Sequence, residues 1–196
     1  MRNGCKTWID FPTSMLSICI INMAAKLGSR DYLSQLCNKG LMSQAFEVVS
    51  LMEKRRIPIN RDVFFCLLQG CARKMDFAAS TNLHKLMVSK GCHTLDFLAG
   101  HLVRVFALCG SLPRALEVFY GIKKPSMHSW NAVISACSAL GDHEKALELF
   151  ICMQVADIQP NSVTFQGILK ACINSGSVIE GRVIHGYIIE LGLEQH

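Results

Sequence analysis

The groups able to do chemistry in this 196-residue chain are seven histidines, ten cysteines and fifteen Asp and Glu. Their spacing argues against an active centre. Zinc is held by thiolates and imidazoles at short, regular separations, and no C-x-x-C pair occurs. His143-Glu144-Lys145-Ala146-Leu147 begins like the H-E-x-x-H zinc helix but carries Leu147 where the second histidine must stand. No phosphate-cradling G-x-x-x-x-G-K-[ST] loop, no G-x-G-x-x-G and no G-x-S-x-G elbow is present. His84 and His185 lie 101 residues apart with no cysteine or carboxylate in ligand spacing. They read as packed histidines with one hydrogen bond each. No catalysis, cofactor, metal or small-molecule substrate is expected.

The cysteines follow a different logic. Cys71, Cys137 and Cys172 occupy the same place in a recurring pattern, as small apolar packing residues do, and a catalytic thiol has no reason to recur. The pattern is a register. Trp130 to Phe165, Gly141 to Gly176 and Ala146 to Gly181 are each 35 apart. Gly110 to Gly141 and Ala115 to Ala146 are 31 apart, while Gly40 to Gly141, Ala45 to Ala146, Met52 to Met153 and Cys71 to Cys172 share a separation of 101. Periods in this range mark helical solenoids. The register divides the chain into segments 26–60, 61–95, 96–126, 127–161 and 162–196.

Each segment reads as two helices. In 127–161 the residues Ala146, Leu149, Phe150 and Met153 form one apolar stripe at i, i+3, i+4 and i+7, with Glu144, Lys145 and Glu148 facing water. Gly40, Gly110, Gly141 and Gly176 mark the turn between helices, where a left-handed residue ends the first; Met75 and Leu41 break this punctuation. Asp76, Ser111, Asp142 and Ser177 follow as helix-start acceptors, and Ser177 with Glu180 spells a capping box. A small residue recurs in every second helix (Ala45, Ser80, Ala115, Ala146, Gly181), allowing close approach. Four residues further stand Val49, His84, Phe119, Phe150 and His185. The expected fold is an all-α solenoid of about five helix–turn–helix repeats.

Composition agrees with a packed array. Apolar residues make up 51% of the chain, charged residues 18%, and the net charge of +5 permits a polyanionic partner without demanding one. Ten cysteines are too sparse for a disulfide scaffold, so a reducing compartment is the simpler reading. The longest mainly apolar run, 15–25, is shorter than the ~20 residues that span a bilayer, and the chain reads as soluble, without a membrane partner. Residues 1–25 precede the array and carry Arg2 and Lys6 against Asp10. Three readings stay open there: a transit segment, a capping helix over the first repeat, and a secretory signal.

The triplet of 35, 31 and 35 resembles the pentatricopeptide repeat (PPR) family, as do three stretches: Ser129-Trp130-Asn131-Ala132-Val133-Ile134, Lys145-Ala146-Leu147-Glu148-Leu149-Phe150 and Ile168-Leu169-Lys170-Ala171-Cys172. The alternation resembles the plant PLS subclass over residues 26–196, with 26–60 and 127–161 P-like, 61–95 and 162–196 L-like, and 96–126 S-like. The C-terminal zinc deaminase domain that many such proteins carry has no counterpart signature here. The resemblance implies a right-handed superhelix whose first helices line a groove for single-stranded RNA, one base per repeat, read by the fifth and last residues of each repeat.

On that implication Asn131 and Asn161 form the reading pair of 127–161, associated with a pyrimidine, and His128 and Val163 flank the base. Helix-start and turn roles are the plainer alternatives for the two asparagines. Gln166 with His196 and Gly100 with Ser126 are the pairs of their segments, and depart from the family's pattern. So do Phe65 with Leu95, and Arg30 with Asn60. Lys54-Arg55-Arg56 and Lys123-Lys124 are candidates for phosphate contacts or for a solvated face. The resemblance implies an adaptor in mitochondrial or chloroplast RNA editing, splicing or stability, with any deaminase or other protein supplied in trans. A protein-interaction scaffold and a truncated paralogue with weak RNA binding are the rival readings. The last helix, with Val183, Ile184, Tyr187 and Ile188, reads as an uncovered apolar face.

Overall fold

The computed structural model describes residues 29–190. The segment 1–25 and His196 lie outside them. Ten helices follow one another: α1 Ser29–Lys39, α2 Met42–Lys54, α3 Arg61–Lys74, α4 Phe77–Ser89, α5 Asp96–Leu108, α6 Leu112–Tyr120, α7 Met127–Ala139, α8 His143–Val155, α9 Ser162–Ser175 and α10 Val178–Glu190. The described residues contain no strand, and none of these helices is long and apolar enough to cross a membrane.

Each odd helix pairs antiparallel with the helix that follows, and successive odd helices pack side by side, α1 on α3 through to α7 on α9. Each even helix as far as α8 lies against its own partner and against the next odd helix, but no two even helices pack comparably. The odd helices are therefore the more closely spaced layer, and a two-layer array bends toward its closer layer. They form the inner surface of an all-α solenoid. Buried side chains from Leu33 to Ile184 make one continuous core, as expected where each unit covers its apolar faces with its neighbours.

The sequence pattern has a structural counterpart at most positions. Ala45, Ser80, Ala115 and Ala146 are fully buried. The even helices α2, α4, α8 and α10 have 13 residues and α6 has 9. The short period is thus the loss of about one turn of one second helix. Gly40, Gly110, Gly141 and Gly176 all take positive φ, and Met75 does so at 50° without being glycine. Asp76 and Asp142 accept from the backbone N–H of Ala79 at 2.9 Å and of Lys145 at 3.1 Å.

Three expectations, for Ser111, His185 and the face of α10, are corrected, whereas His84 packs as expected. Ser111 makes no side-chain cap bond; Pro113, two residues on, lacks one of the N–H groups that such a cap engages. His84 is half-buried, with its Nδ1 3.2 Å from the Arg114 guanidinium and its ring edge-on to Phe106 of α5. His185 instead is exposed, because no following odd helix stands against α10 among the described residues. On α10 itself Ile184 is buried, Tyr187 and Ile188 are half-buried, and the exposed apolar side chains are Val178, Ile179, Val183 and Ile189. The capping box expected of Ser177 rests on the Glu180 side chain, which lies outside the described ones.

Two outcomes follow from this packing. Burial pushes the thiols of Cys37 and Cys137 up to about 11 and that of Cys71 up to about 12, so all three stay protonated near neutral pH. Among the described cysteines, an alkylating reagent on the folded chain should label exposed Cys152 first and reach these three only on unfolding, read by mass mapping. Met75 is exposed, and a left-handed residue with a Cβ costs ~1–2 kcal/mol. Met75→Gly should raise stability by ~1 kcal/mol in denaturant titration, the relief of that strain less the added freedom of the unfolded chain.

Candidate nucleic-acid interface

The inner surface is interrupted by a cleft of about 520 Å³ between α5 and α7, closed at one end by the start of α9. Gly100 and Arg104 of α5, His128, Asn131 and Ser135 of α7, and Asn161 and Val163 line it, among others. Five residues singled out from the sequence therefore meet in one place. Gln166 is exposed on α9 outside this cleft.

Asn131 and Asn161 are joined through a residue that sequence reasoning missed. Asn161 is the N-cap of α9 in extended backbone, and its Oδ1 accepts the backbone N–H groups of Val163 and Thr164, both at 3.1 Å. Thr164 closes a capping box, its Oγ1 accepting from the Asn161 backbone N–H at 3.0 Å. The same hydroxyl donates to Asn131 Oδ1 at 2.6 Å, and Asn131 Nδ2 donates to Asn161 Oδ1 at 3.1 Å. Thr164 is fully buried and Asn131 is only 8% exposed. The signal was present as N-x-x-T, a box written with threonine in the place of the usual Glu or Gln.

This network settles which way each carboxamide faces. Backbone donors take the Asn161 oxygen, and the Thr164 hydroxyl donates to the Asn131 oxygen, so both oxygens accept inside the protein. The Asn161 amino group and the second hydrogen of Asn131 Nδ2 remain as donors on the cleft wall. A partner suited to this wall carries acceptors. Asn161 is thus both a helix cap and a cleft residue.

Gly100 and Ser126 serve the scaffold. A Cβ on Gly100 would lie 2.7 Å from Ser129 Oγ and 3.1 Å from His128 Cδ2, so glycine here lets α5 and α7 close the cleft floor. The Ser126 backbone N–H donates to Asp96 Oδ1 at 2.9 Å, and Ser129 Oγ donates to the same oxygen at 2.5 Å. Burial pushes the Asp96 carboxyl up, but these hydrogen bonds outweigh it and hold it below its ordinary 3.8. Ser126 is absent from the cleft wall and tied to the α5 N-terminus.

Positive charge is placed differently from the sequence reading. Lys54, Arg55 and Arg56 sit at the exposed end of α2, and Lys123 and Lys124 in the exposed turn after α6. Arg104 lines the cleft itself.

Replacing Thr164 by Val keeps its shape but strands Asn131 Oδ1, at ~1–2 kcal/mol of stability, measurable by chemical denaturation. A pH effect should accompany it. Burial first, then His128, Arg104 and Arg61, hold His101 of α5 below its ordinary 6.5; burial and then Arg114 do so for His84, against Glu117. The unfolded chain then binds more protons, so stability is lost as pH falls below about 6.5. That window lies above the one, below 3.8, in which Asp96 is protonated. Thermal unfolding across the higher window should show the loss, and His84→Leu with His101→Leu should flatten it.

The profile of the PPR repeat family matches residues 125–174, and that of the PPR repeat matches 33–57. A chloroplastic pentatricopeptide repeat-containing protein of Arabidopsis thaliana is 36% identical over 152 residues, 77% of this chain and 24% of the relative. A mitochondrial one from the same plant is 26% identical over 167 residues, 85% of this chain and 22% of the relative. The chain thus spans about a quarter of the length of these relatives. Among solved structures, the pentatricopeptide repeat protein PPR10 in complex with an 18-nucleotide psaJ RNA element superposes with a TM-score of 0.73 at 19% identity, over 90% of this chain and 27% of that one. The PPR domain of Arabidopsis protein-only RNase P 1 in complex with tRNA does so at 0.63 and 15% identity, over 82% and 87%. Two matched repeat profiles, relatives of one kind and a shared helix-pair solenoid make this chain a pentatricopeptide repeat protein.

Proposed function

We propose that the chain binds single-stranded RNA along its inner helical layer, one base per helix pair, as a non-catalytic adaptor in the RNA processing of a chloroplast or mitochondrion. The observation that carries this reading is the donor-lined wall of Asn131 and Asn161. On their Watson–Crick edges uracil and cytosine each present two acceptors, whereas adenine and guanine each present one beside their donors. Two outward N–H groups therefore suit a pyrimidine. His128 and Val163, on either side of the cleft, flank its faces. The segments 26–60 and 127–161 are assigned as P-like, 61–95 and 162–196 as L-like and 96–126 as S-like. Gln166 with His196 forms the next reading pair, and Gly100 with Ser126 marks a base position held without edge contacts. Editing, with a deaminase in trans, is the process that a PLS arrangement favours over splicing or stability.

The two solved relatives in complex with RNA and the organelle names of the sequence relatives support this reading. Each contacted base contributes ~1–3 kcal/mol, so a few repeats yield binding of roughly micromolar strength once ordering costs are met. Fluorescence polarisation with uridine-, cytidine- and adenosine-rich oligonucleotides tests it. Pyrimidine strands should bind more tightly, and Asn131→Ala should reduce their affinity about five- to tenfold while barely affecting the adenosine strand. Equal, salt-suppressed binding of all three, indifferent to Asn131→Ala, would remove the edge-reading claim.

A further inference from the structure

Because each odd helix pairs antiparallel with the next, every connection from an even helix to the following odd one falls on the same rim of the solenoid. The first three of these connections, 55–60, 90–95 and 121–126, contain Arg55, Arg56, Lys90, Lys123 and Lys124 and not one carboxylate. Lys54 ends α2 beside them, and all six side chains are exposed. Of the acids nearby, Glu53 is held 2.7 Å from Lys90, Asp96 is held by Ser126 and Ser129, and Asp62 stands in the first turn of α3. The fourth connection, 156–161, carries Asp157 and Asn161 and no basic residue. The opposite rim mixes its signs, with Asp76 and Asp142 among Lys39, Arg73 and Lys74. Positive charge thus runs along one rim from α2 to α7 and stops beside the Asn131 cleft.

One of these residues strains the backbone. Arg56 has a φ of 59°, in the left-handed region that favours glycine. The matching place after α4 is Gly91, at 67°, and after α8 it is Asp157, at 58°; aspartate visits this region more readily than arginine does. A glycine at 56 would make the same turn without strain, and the arginine is exposed, so packing does not account for it. Strain of this kind gathers where a side chain serves a partner. The three connections hold no Phe, Tyr or Trp, and so no large ring on which an unpaired base could stack. Phosphates remain as the ligand, and a double helix carries them about twice as densely as one strand. Neighbouring helices pack ~8–10 Å apart, so three connections reach on the order of 20 Å along a stem.

We propose that Lys54, Arg55, Arg56, Lys123 and Lys124 bind the phosphates of a base-paired RNA stem adjoining the unpaired stretch held in the Asn131–Asn161 cleft. The proposal rests on the RNA-binding reading above and extends the substrate class to a stem with a single-stranded tail. Lys90, by pairing with Glu53, neutralises the nearest repelling carboxylate. Duplex RNA is recognised chiefly by shape, phosphates and 2′-hydroxyls, so the rim adds affinity and register without sequence preference.

The test is fluorescence polarisation of the full chain with three RNAs. One is a short uridine-rich strand, the second a hairpin carrying that strand as a tail. The third has the hairpin's length and tail, but its other nucleotides are unable to pair. The tailed hairpin should bind about tenfold more tightly than the unpaired strand of equal length, with a steeper loss of affinity in salt. The variant Arg55→Gln, Arg56→Gly, Lys123→Gln and Lys124→Gln should erase that advantage and lower the salt slope by about three to four. It should leave the short strand's affinity unchanged. Arg56→Gly alone should raise the thermal midpoint while weakening the hairpin, an opposition that a structural role would not produce. A hairpin that binds no better than the unpaired strand overturns the proposal, as does equal weakening of all three RNAs by the fourfold variant. Displacement of the hairpin by poly-glutamate of equal charge and concentration also overturns it and reassigns the rim to an acidic protein. Absence of the hairpin advantage with uridine preference intact removes the stem contact alone, and a hairpin advantage with a silent Asn131→Ala removes edge reading alone. No RNA binding at all overturns both.

Discussion

The side-by-side packing of α3, α5, α7 and α9 is the constraint on which everything else in this molecule depends. An isolated helix pair of this length cannot cover its own apolar stripe, so each inner helix must bury one flank on the helix before it and another on the helix after it. Small residues at the close approaches make this possible. Gly100 admits Ser129 and His128, and the alanines at 45, 115 and 146 let the outer helices seat between inner ones. Because the inner helices are drawn together and the outer ones are not, the layer curves, and side chains from neighbouring repeats converge on its inner face. The cleft is a product of that convergence.

Thr164 shows how a binding surface is kept rigid within such a layer. One hydroxyl closes the capping box of α9 and also fixes Asn131 on α7, so the two carboxamides are set by the same contacts that start a helix. Both oxygens accept internally, one Asn131 N–H donates to Asn161, and the remaining amide N–H groups are left outward. A pre-oriented donor wall needs no rearrangement when a partner arrives, which lowers the ordering cost of binding. Asp96 plays the matching part between α5 and α7, where one carboxylate holds both the turn and the first residues of the next repeat.

The electrostatics of the inner face also differ from those of the chain as a whole. A net charge of +5 is a modest excess, and many of its lysines and arginines project from helix ends and turns. Arg61, Arg73 and Arg104 stand on the inner helices instead, Arg61 over the Phe97 ring and Arg104 on the wall of the Asn131 cleft.

The repeat register was legible in the sequence because solenoid packing is local. Each helix answers only to its neighbours, so the spacing of Gly141, Ala146 and Phe150 and their counterparts carries the two-helix unit, the shortened α6 and the recurring buried cysteines. Asn131, Asn161, His128, Val163 and Gly100 were reachable only through the family resemblance laid over that register. The tertiary structure decided what no register holds. Contacts between residues of adjacent repeats made Thr164 a hub, turned the amide donors outward, engaged Ser126 with Asp96 and brought Phe65, Phe97, His101 and His128 into ring contact. His185 was misjudged for the same reason, since the packing of a side chain depends on whether the next helix stands against it. Periodicity along a chain specifies which faces must be covered; only the three-dimensional arrangement specifies which atoms cover them and which are left for a partner.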